Sequence, residues 1–423
     1  MSRTDQNLSD LLDTSEKPSI FKVHGQLRSE NEEAYEPRVV SIGPYHRGKP
    51  KLKEMEKHKR RYFNELLRRT GESAEEYIIA LADLQDQARR CYAEEINLSE
   101  DDFVYMICLD GCFVIEFLRK RTSRGSHWQN DPIFQMLWLS PATNNDLMLF
   151  ENQLPFFVLQ KLFDMTKSSR SEEENLIDLA IALHVFWNMP NPGLNSHSPI
   201  FEQYKPVHLL GLMHKILSAS FSETLSSTTN SNRTGSNLFI KSAGELGQSG
   251  IKFKKAEDSE SLFHITFENG VLKIPPLVVY DHTESVFRNL IAYEEYTSIP
   301  SKTWRCITDY IIFIDCLIDS ASDVETLRRH DIIENWLGSD EAASTMFNKL
   351  CNHVHVGGRI CYTKIFDDVD KHTRKRWHIW RANLVRKYFN TPWAFISFLA
   401  ACALLFLTSV QAIFSILQYT KRK

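Results

Sequence analysis

At 423 residues and 43% hydrophobic content, the chain has room for one large domain or two ordinary ones with a real core. Its eight cysteines form no C-x-x-C pair and are too sparse for a disulfide scaffold, and net charge is only −4. That charge is uneven: from Lys371 onward there are ten Lys and Arg and no acid, which leaves the rest at −14.

The N-terminus, "MSRTDQNLSDLLDTSEKPS", is polar and lacks the apolar core of a secretory signal, so residues 1–18 read as a disordered leader. The body that follows, 19–365, is then expected in the cytosol with reduced thiols. "RVVSIGPY" predicts a short strand or extended segment ending at a Gly-Pro turn. "KLKEMEKHKRRYFNELLRR" predicts a charged amphipathic helix. "DDFVYMICLDGCFVIEFLRK" predicts a buried one, with Asp110, Gly111 and Glu116 arguing against a membrane span and Cys108 and Cys112 as buried thiols on one face. "ENQLPFFVLQKLFDM" opens another helix, with Pro155 tolerated in its first turn. "NLIDLAIALHVF" and "HLLGLMHKILSASF" continue the helical pattern.

Composition then shifts. Residues 222–237, "SETLSSTTNSNRTGSN", predict a flexible loop, and 249–281 predict a small β region in which Asn269-Gly270 is a hairpin turn. The remainder, "SVFRNLIAYEEY", "ITDYIIFIDCLIDS", "DVETLRRHDII" and "DEAASTMFNKLCNHV", returns to helix. The expected fold is therefore mainly α, a large helical body with a small β-hairpin insert.

The C-terminal region is different in kind. Trp393 to Leu417 is 25 residues without a charge, about 37 Å long as a helix and so longer than a hydrocarbon core. Trp393 at one end and Tyr419 at the other are placed like interfacial anchors. Before it, 366–390 predict a basic amphipathic helix with Trp377, Trp380, Leu384 and Tyr388 at helical spacing. That stripe fits either anionic lipid headgroups or the surface of the body. Seven positive charges precede the span and only the tail Lys421, Arg422 and Lys423 follows within 418–423, which puts the body on the cytosolic side. The partners expected are a lipid bilayer, anionic lipids among them, and an unknown protein. The apolar run after the basic stretch disfavours nucleic acid.

Several stretches in this order resemble a plant family catalogued as domain of unknown function 247. They are "AYEPRVVSIGPYHRG", "EMEKHKRRY", "LDGCFVIEFL", "LFENQLPFFVLQKL", "GIKFK", "LKIPPLVVYDHTESVFRNLIAYE" and "LGSDEAASTMFNKL", closed by the terminal span. The resemblance runs from about Ile20 to Tyr419. It implies a plant membrane protein with a largely helical body. For the terminal span, the plasma membrane is expected rather than the endoplasmic reticulum. It carries over no catalytic residue and no cofactor. Some grass members of that family are linked to self-incompatibility as pollen-side determinants, a role the motifs do not extend to this chain.

Chemical motifs are few. "GPYHRGKP", 43–50, has the spacing of a phosphate-binding loop, but Pro44 and Pro50 each remove an N–H and Pro50 replaces the Mg²⁺-binding hydroxyl. The alternative is a tight turn at Gly43 and Pro44, with Tyr45 and His46 packing or hydrogen-bonding. Asp110, Glu116 and Glu151 in apolar surroundings, with His46 and His58, would suit a hydrolase; structural ion pairs are the commoner use of such carboxylates. Cys351, His353, His355 and Cys361 could ligate a metal, although their spacing fits no standard zinc module. Asn152 is expected to cap a helix, and Phe156 and Phe157 to pack in the core. A non-enzymatic interaction, signalling or recognition protein without metal or cofactor is the reading that remains.

Overall fold

A computed structural model describes residues 18–123, 131–167, 174–183, 194–201, 204–219, 221, 239–256, 261–297, 305–355, 360–374 and 392–421, with the backbone alone for 392–395 and 414–421. The N-terminal part runs through α1 (Gly25–Glu30), α2 (Lys53–Thr70), α3 (Ala74–Ala82), α4 (Gln85–Arg90) and α5 (Glu100–Thr122). It continues with α6 (Pro132–Gln135), α7 (Leu139–Asp146), α8 (Phe156–Met165), α9 (Leu176–Ile181), α10 (Leu209–Ala219) and α11 (Ala243–Gln248). Beyond these come β1 (Lys252–Lys255), β2 (Thr266–Glu268), β3 (Val271–Ile274), β4 (Leu277–Val279), α12 (Thr283–Thr297) and α13 (Cys306–Leu317). The last elements are α14 (Ala321–Arg329), β5 (Ile333–Asn335), α15 (Asp340–Leu350), α16 (Thr363–Arg374) and α17 (Pro392–Lys421). The protein is mainly α, as the periodicity predicts.

Local chemistry sets the ends of these helices. Ser73 and Glu76 form a reciprocal capping box at the start of α3, and Ser99 accepts the Asp102 N–H to open α5. From Phe103 to Leu118, all of α5 except Tyr105 is buried, so it is the axis of the first helical layer. α2, α3, α8 and α9 pack around it. Burial on every side explains why this apolar helix is a core helix and not a span. A second layer is built on α12, which packs against α10, α13, α15 and the 3₁₀ turn Glu32–Tyr35.

The β structure is richer than one hairpin. β2 and β3 pair antiparallel across Asn269 (φ 51°) and Gly270 (φ 79°), the two positive angles that a tight primed turn requires. β1 then joins β3 in parallel, and a separate parallel pair forms from β4 and β5. The sequence reading of "DVETLRRHDII" as helix alone misses β5, because its three residues acquire strand geometry only from β4 beside them.

At the C-terminal end, α16 crosses the expected boundary at 365. Phe366 and Val369 on it are buried, and α16 packs against β2, with the His372 ring against Phe267. The body therefore extends past 365, and the stretch is not basic here, since Asp367, Asp368 and Asp370 lie on it. Trp377, Trp380, Leu384 and Tyr388 lie outside the described residues, as do the leader to residue 17 and the loop 222–237. α17 contains Trp393, Leu417 and Tyr419, and its window Ile396–Ile413 has mean hydropathy 2.1 with none of it buried against the body.

Candidate functional site

The stretches singled out by sequence converge on a buried polar hub. Residues 38–43 form an irregular strap outside any strand, and side chains accept from the N–H groups of Arg38, Val39, Val40, Ile42 and Gly43. Asp146, at the end of α7, accepts from Arg38, Val39 and Val40 at 2.7–2.9 Å. Asn152 accepts from the Ile42 N–H at 2.6 Å while its amide donates to the Val40 and Asp146 carbonyls. Asp110 of α5 accepts from the Gly43 N–H at 2.9 Å. Asn152 is thus a strap clamp; α8 starts at Phe156 after Pro155, which corrects the expected helix cap. Buried N–H groups must find partners, and here three side chains replace a neighbouring strand.

Two charges are buried with the strap. Lys59 of α2, 1% exposed, donates to Asp110 and Glu56 at 2.6 Å and to the Ser41 carbonyl at 2.5 Å. Burial raises the Asp110 pKa, against the attraction of Lys59, and raises that of Asp146 to about 6 despite its three N–H donors. Gly43 adopts φ +74°, and a Cβ there would stand 2.7 Å from the Gln153 carbonyl oxygen and 3.0 Å from the Tyr92 hydroxyl, which itself donates to that carbonyl.

The rest of "GPYHRGKP" is occupied in the same way. The Arg47 N–H turns back to the Pro44 carbonyl and the Lys49 N–H to that of His46, and Lys49 caps a 3₁₀ turn at Pro50–Leu52. The Lys49 ammonium is paired with Glu36 and lies 2.9 Å from His46 Nδ1. Burial alone would raise the Glu36 carboxyl, but Lys49, His46 and Arg28 together hold it below the usual range. Glu151 accepts from the Val23 N–H and from Arg28, each at 2.7 Å, and stands 3.3 Å from His46 Nε2 without hydrogen-bond alignment. Tyr45 donates to Glu94 and to the Ile20 carbonyl. The Gly43, Arg47 and Lys49 N–H groups and the Lys49 ammonium, donors that a phosphate would need, are used inside the fold.

The other candidates are scattered. Glu116 is held by Arg69 and Arg119 at 2.6 and 2.9 Å. Phe156 is buried, whereas Phe157 is only partly so. His353 lies 3.2 Å from Glu30, and Cys361 sits instead against Cys306, Sγ to Sγ 3.5 Å. Among the described residues no group of three or more His, Cys, Asp or Glu could hold a metal ion. Cys108 and Cys112 are buried free thiols, as expected.

Sequence reasoning missed a groove of about 620 Å³ on the outer side of the strap. One wall is the face of α2 carrying Met55 and His58, preceded by Lys51; the other is the face of α7 carrying Ala142 and Asn145, preceded by Trp138. Arg38 and Val39 floor it, and Asp281 and His282 close one end. The His282 ring stacks on Tyr280 at 5.5 Å, and Tyr280 on Trp336. Met136, Leu137 and Trp138 are 46, 92 and 62% exposed at its edge. The sequence signal was present in "QMLWL", an apolar run with no amphipathic period, but only packing shows that it stays uncovered.

Taken together, this is a helical body with an ion-paired polar hub, an open groove and an apolar terminal helix whose window Ile396–Ile413 is not buried against the body among the described residues. A family model for plant proteins of unknown function, DUF247, matches residues 20–407, and the chain belongs to that family. It is 32% identical over 436 residues to UPF0481 protein At3g47200 of Arabidopsis thaliana, covering 98% of this chain and 90% of that one. To the putative UPF0481 protein At3g02645 of the same plant it is 26% identical over 481 residues, covering 93% and 89%. No solved structure matches the chain.

Proposed function

We propose that this is a single-pass membrane protein, anchored through Trp393–Leu417, whose helical body works by binding a protein partner and not by catalysis. The observation that supports it most is α17. Its apolar window exposes Ile396, Phe398, Leu404, Leu405, Phe406 and Ile413 by half or more. An exposed apolar face is costly in water, at roughly 25 cal/mol per Å², and is relieved in a hydrocarbon core. The basic residues before it favour a cytosolic body and contact with anionic lipid, and the plasma membrane is the expected location. The non-enzymatic reading is supported by the ion pairing of Asp110, Glu116, Glu151 and Lys49.

Alkaline carbonate extraction of the full chain and of a version ending at Phe389 tests the anchor. The full chain should stay with the membrane pellet and the shortened one should not; both in the supernatant refutes it. Protease added to sealed vesicles should digest the body. A glycan on Asn97, which is exposed, or on Asn232 would place the body on the opposite side and overturn the topology.

A further inference from the structure

The hub and the groove use their polar groups in opposite ways. In the hub, each carboxylate and ammonium has a partner. In the groove, the Arg38 guanidinium has neither hydrogen bond nor ion pair among the described residues, although its backbone is clamped to Asp146. The His58 ring nitrogens, the His282 ring nitrogens and the Trp138 indole N–H likewise have no hydrogen-bond partner there, and the Asn145 side-chain oxygen is buried without one. These groups come from four separate segments and line one space. Arg38 and Trp138 face solvent, Asn145 Oδ1 is buried, and their convergence on one apolar-walled groove is the arrangement a ligand site presents.

Charge narrows the class of ligand. Glu54 closes on Lys57 at 2.9 Å, and Lys51 is half-exposed, 3.9 Å from a Glu36 that Lys49 and Arg28 already neutralise. Of the four charged side chains that line the groove, Glu54 and Lys51 thus have partners, which leaves Arg38, within the field of Asp146 behind it, and at the end of the groove the exposed Asp281 without an ion pair among the described residues. Burial lowers the pKa of both His58 and His282, so near neutral pH each imidazole is uncharged and offers one N–H. The fixed donors, Arg38 and Trp138, therefore call for an acceptor-rich, negatively charged group. The remaining walls, Met55, Met136, Leu139, Pro141 and Ala142, call for an apolar body.

We propose that this groove binds a small amphipathic organic anion, with a ring-bearing apolar body between the α2 and α7 walls and a carboxylate or sulfonate on Arg38. The volume suits a molecule of two or three rings. The assignment is independent of the membrane anchor.

The test is calorimetric titration of the full chain in phosphatidylcholine nanodiscs, with empty discs subtracted, using naphthalene-2-sulfonate as probe and neutral naphthalene-2-sulfonamide as its isostere. Saturable binding of the sulfonate is expected. Arg38→Ala should weaken it about 10- to 100-fold, the usual effect of losing a charge-assisted hydrogen bond. The sulfonamide should bind the native protein more weakly by a similar factor. Trp138→Ala should weaken both probes, and Arg329→Ala, an exposed cation outside the groove, should weaken neither. Arg38, Trp138 and Arg329 are all exposed, so thermal melts of the variants should match the native protein. No saturable binding at millimolar probe, equal affinity for the two probes, or indifference to Arg38→Ala overturns the proposal.

Discussion

Replacing Lys59 by Met should be among the most damaging single changes outside the apolar core. Met keeps most of the aliphatic stem, so the loss is electrostatic. Three acceptors at 2.5–2.6 Å lose their donor: the Ser41 carbonyl, Glu56 and Asp110. Glu56 is partly exposed and regains water, whereas Asp110 is 2% exposed and is left as a buried carboxylate. Breaking a buried pair from one side costs about 3–5 kcal/mol. The loss should also depend on pH. Burial already raises the Asp110 pKa, and Lys59 is the main group opposing that rise, so in the variant it rises further. A raised carboxyl is penalised only while ionised. The destabilisation is therefore full at high pH and shrinks as pH falls through the folded-state pKa, where the folded protein binds the proton more readily than the unfolded chain. Urea unfolding of the full chain in detergent micelles at pH 8 and pH 5 measures both quantities. Adding Asp110→Asn, which keeps an acceptor for the Gly43 N–H and removes the charge, should restore most of the loss at pH 8. A change below about 1 kcal/mol at pH 8, or one that does not shrink at pH 5, refutes the reasoning.

Other expectations use the same measurements. Gly43→Ala should cost about 2–4 kcal/mol, combining a left-handed backbone with a Cβ 2.7 Å from the Gln153 carbonyl oxygen. Gly48→Ala, at φ +82° with open space around it, should cost only about 1 kcal/mol, and equal losses would contradict the steric account. Phe156→Ala should cost about 3–5 kcal/mol because the ring is 5% exposed; unchanged melting would mean that it does not support the core. His208, fully buried, accepts from the Gly211 N–H and contacts the Ser19 carbonyl, and burial pushes its pKa down to about 3. Its contribution is complete above the unfolded pKa near 6.5 and falls by about 1.4 kcal/mol per pH unit below it. Asp309, pushed up to about 7 by burial, acts with the opposite sign over that range, so the slope attributed to His208 is the native curve minus that of His208→Gln. Parallel curves would rule it out.

Periodicity and turn chemistry alone determined much of this protein. The 3.6-residue pattern gives α2, α8, α10 and α15, because one face of each is apolar and the signal is local, whereas α12 and α13 are buried on nearly every side. Asn269-Gly270 gives the hairpin for an equally local reason. Trp393–Leu417 is long and apolar enough to cross a membrane by sequence alone, and the window Ile396–Ile413 of α17 is not buried in the body.

What the tertiary structure decided is how polar side chains are used. Nothing near Asn152 in sequence indicates that it reaches back 110 residues to the Ile42 N–H. Nor do neighbours reveal that Asp146 serves three N–H groups of a strap over a hundred residues away. Lys49 resembles a phosphate-loop lysine by spacing, and the partner that claims it, Glu36, lies 13 residues earlier. The same holds for the groove, whose walls come from residues 38, 51–58, 136–145 and 281–282. Local propensity depends on a few adjacent residues, so sequence reveals it. Whether a buried polar group is paired or left open depends on which distant segments the packing brings against it, and that is fixed only when the chain has folded.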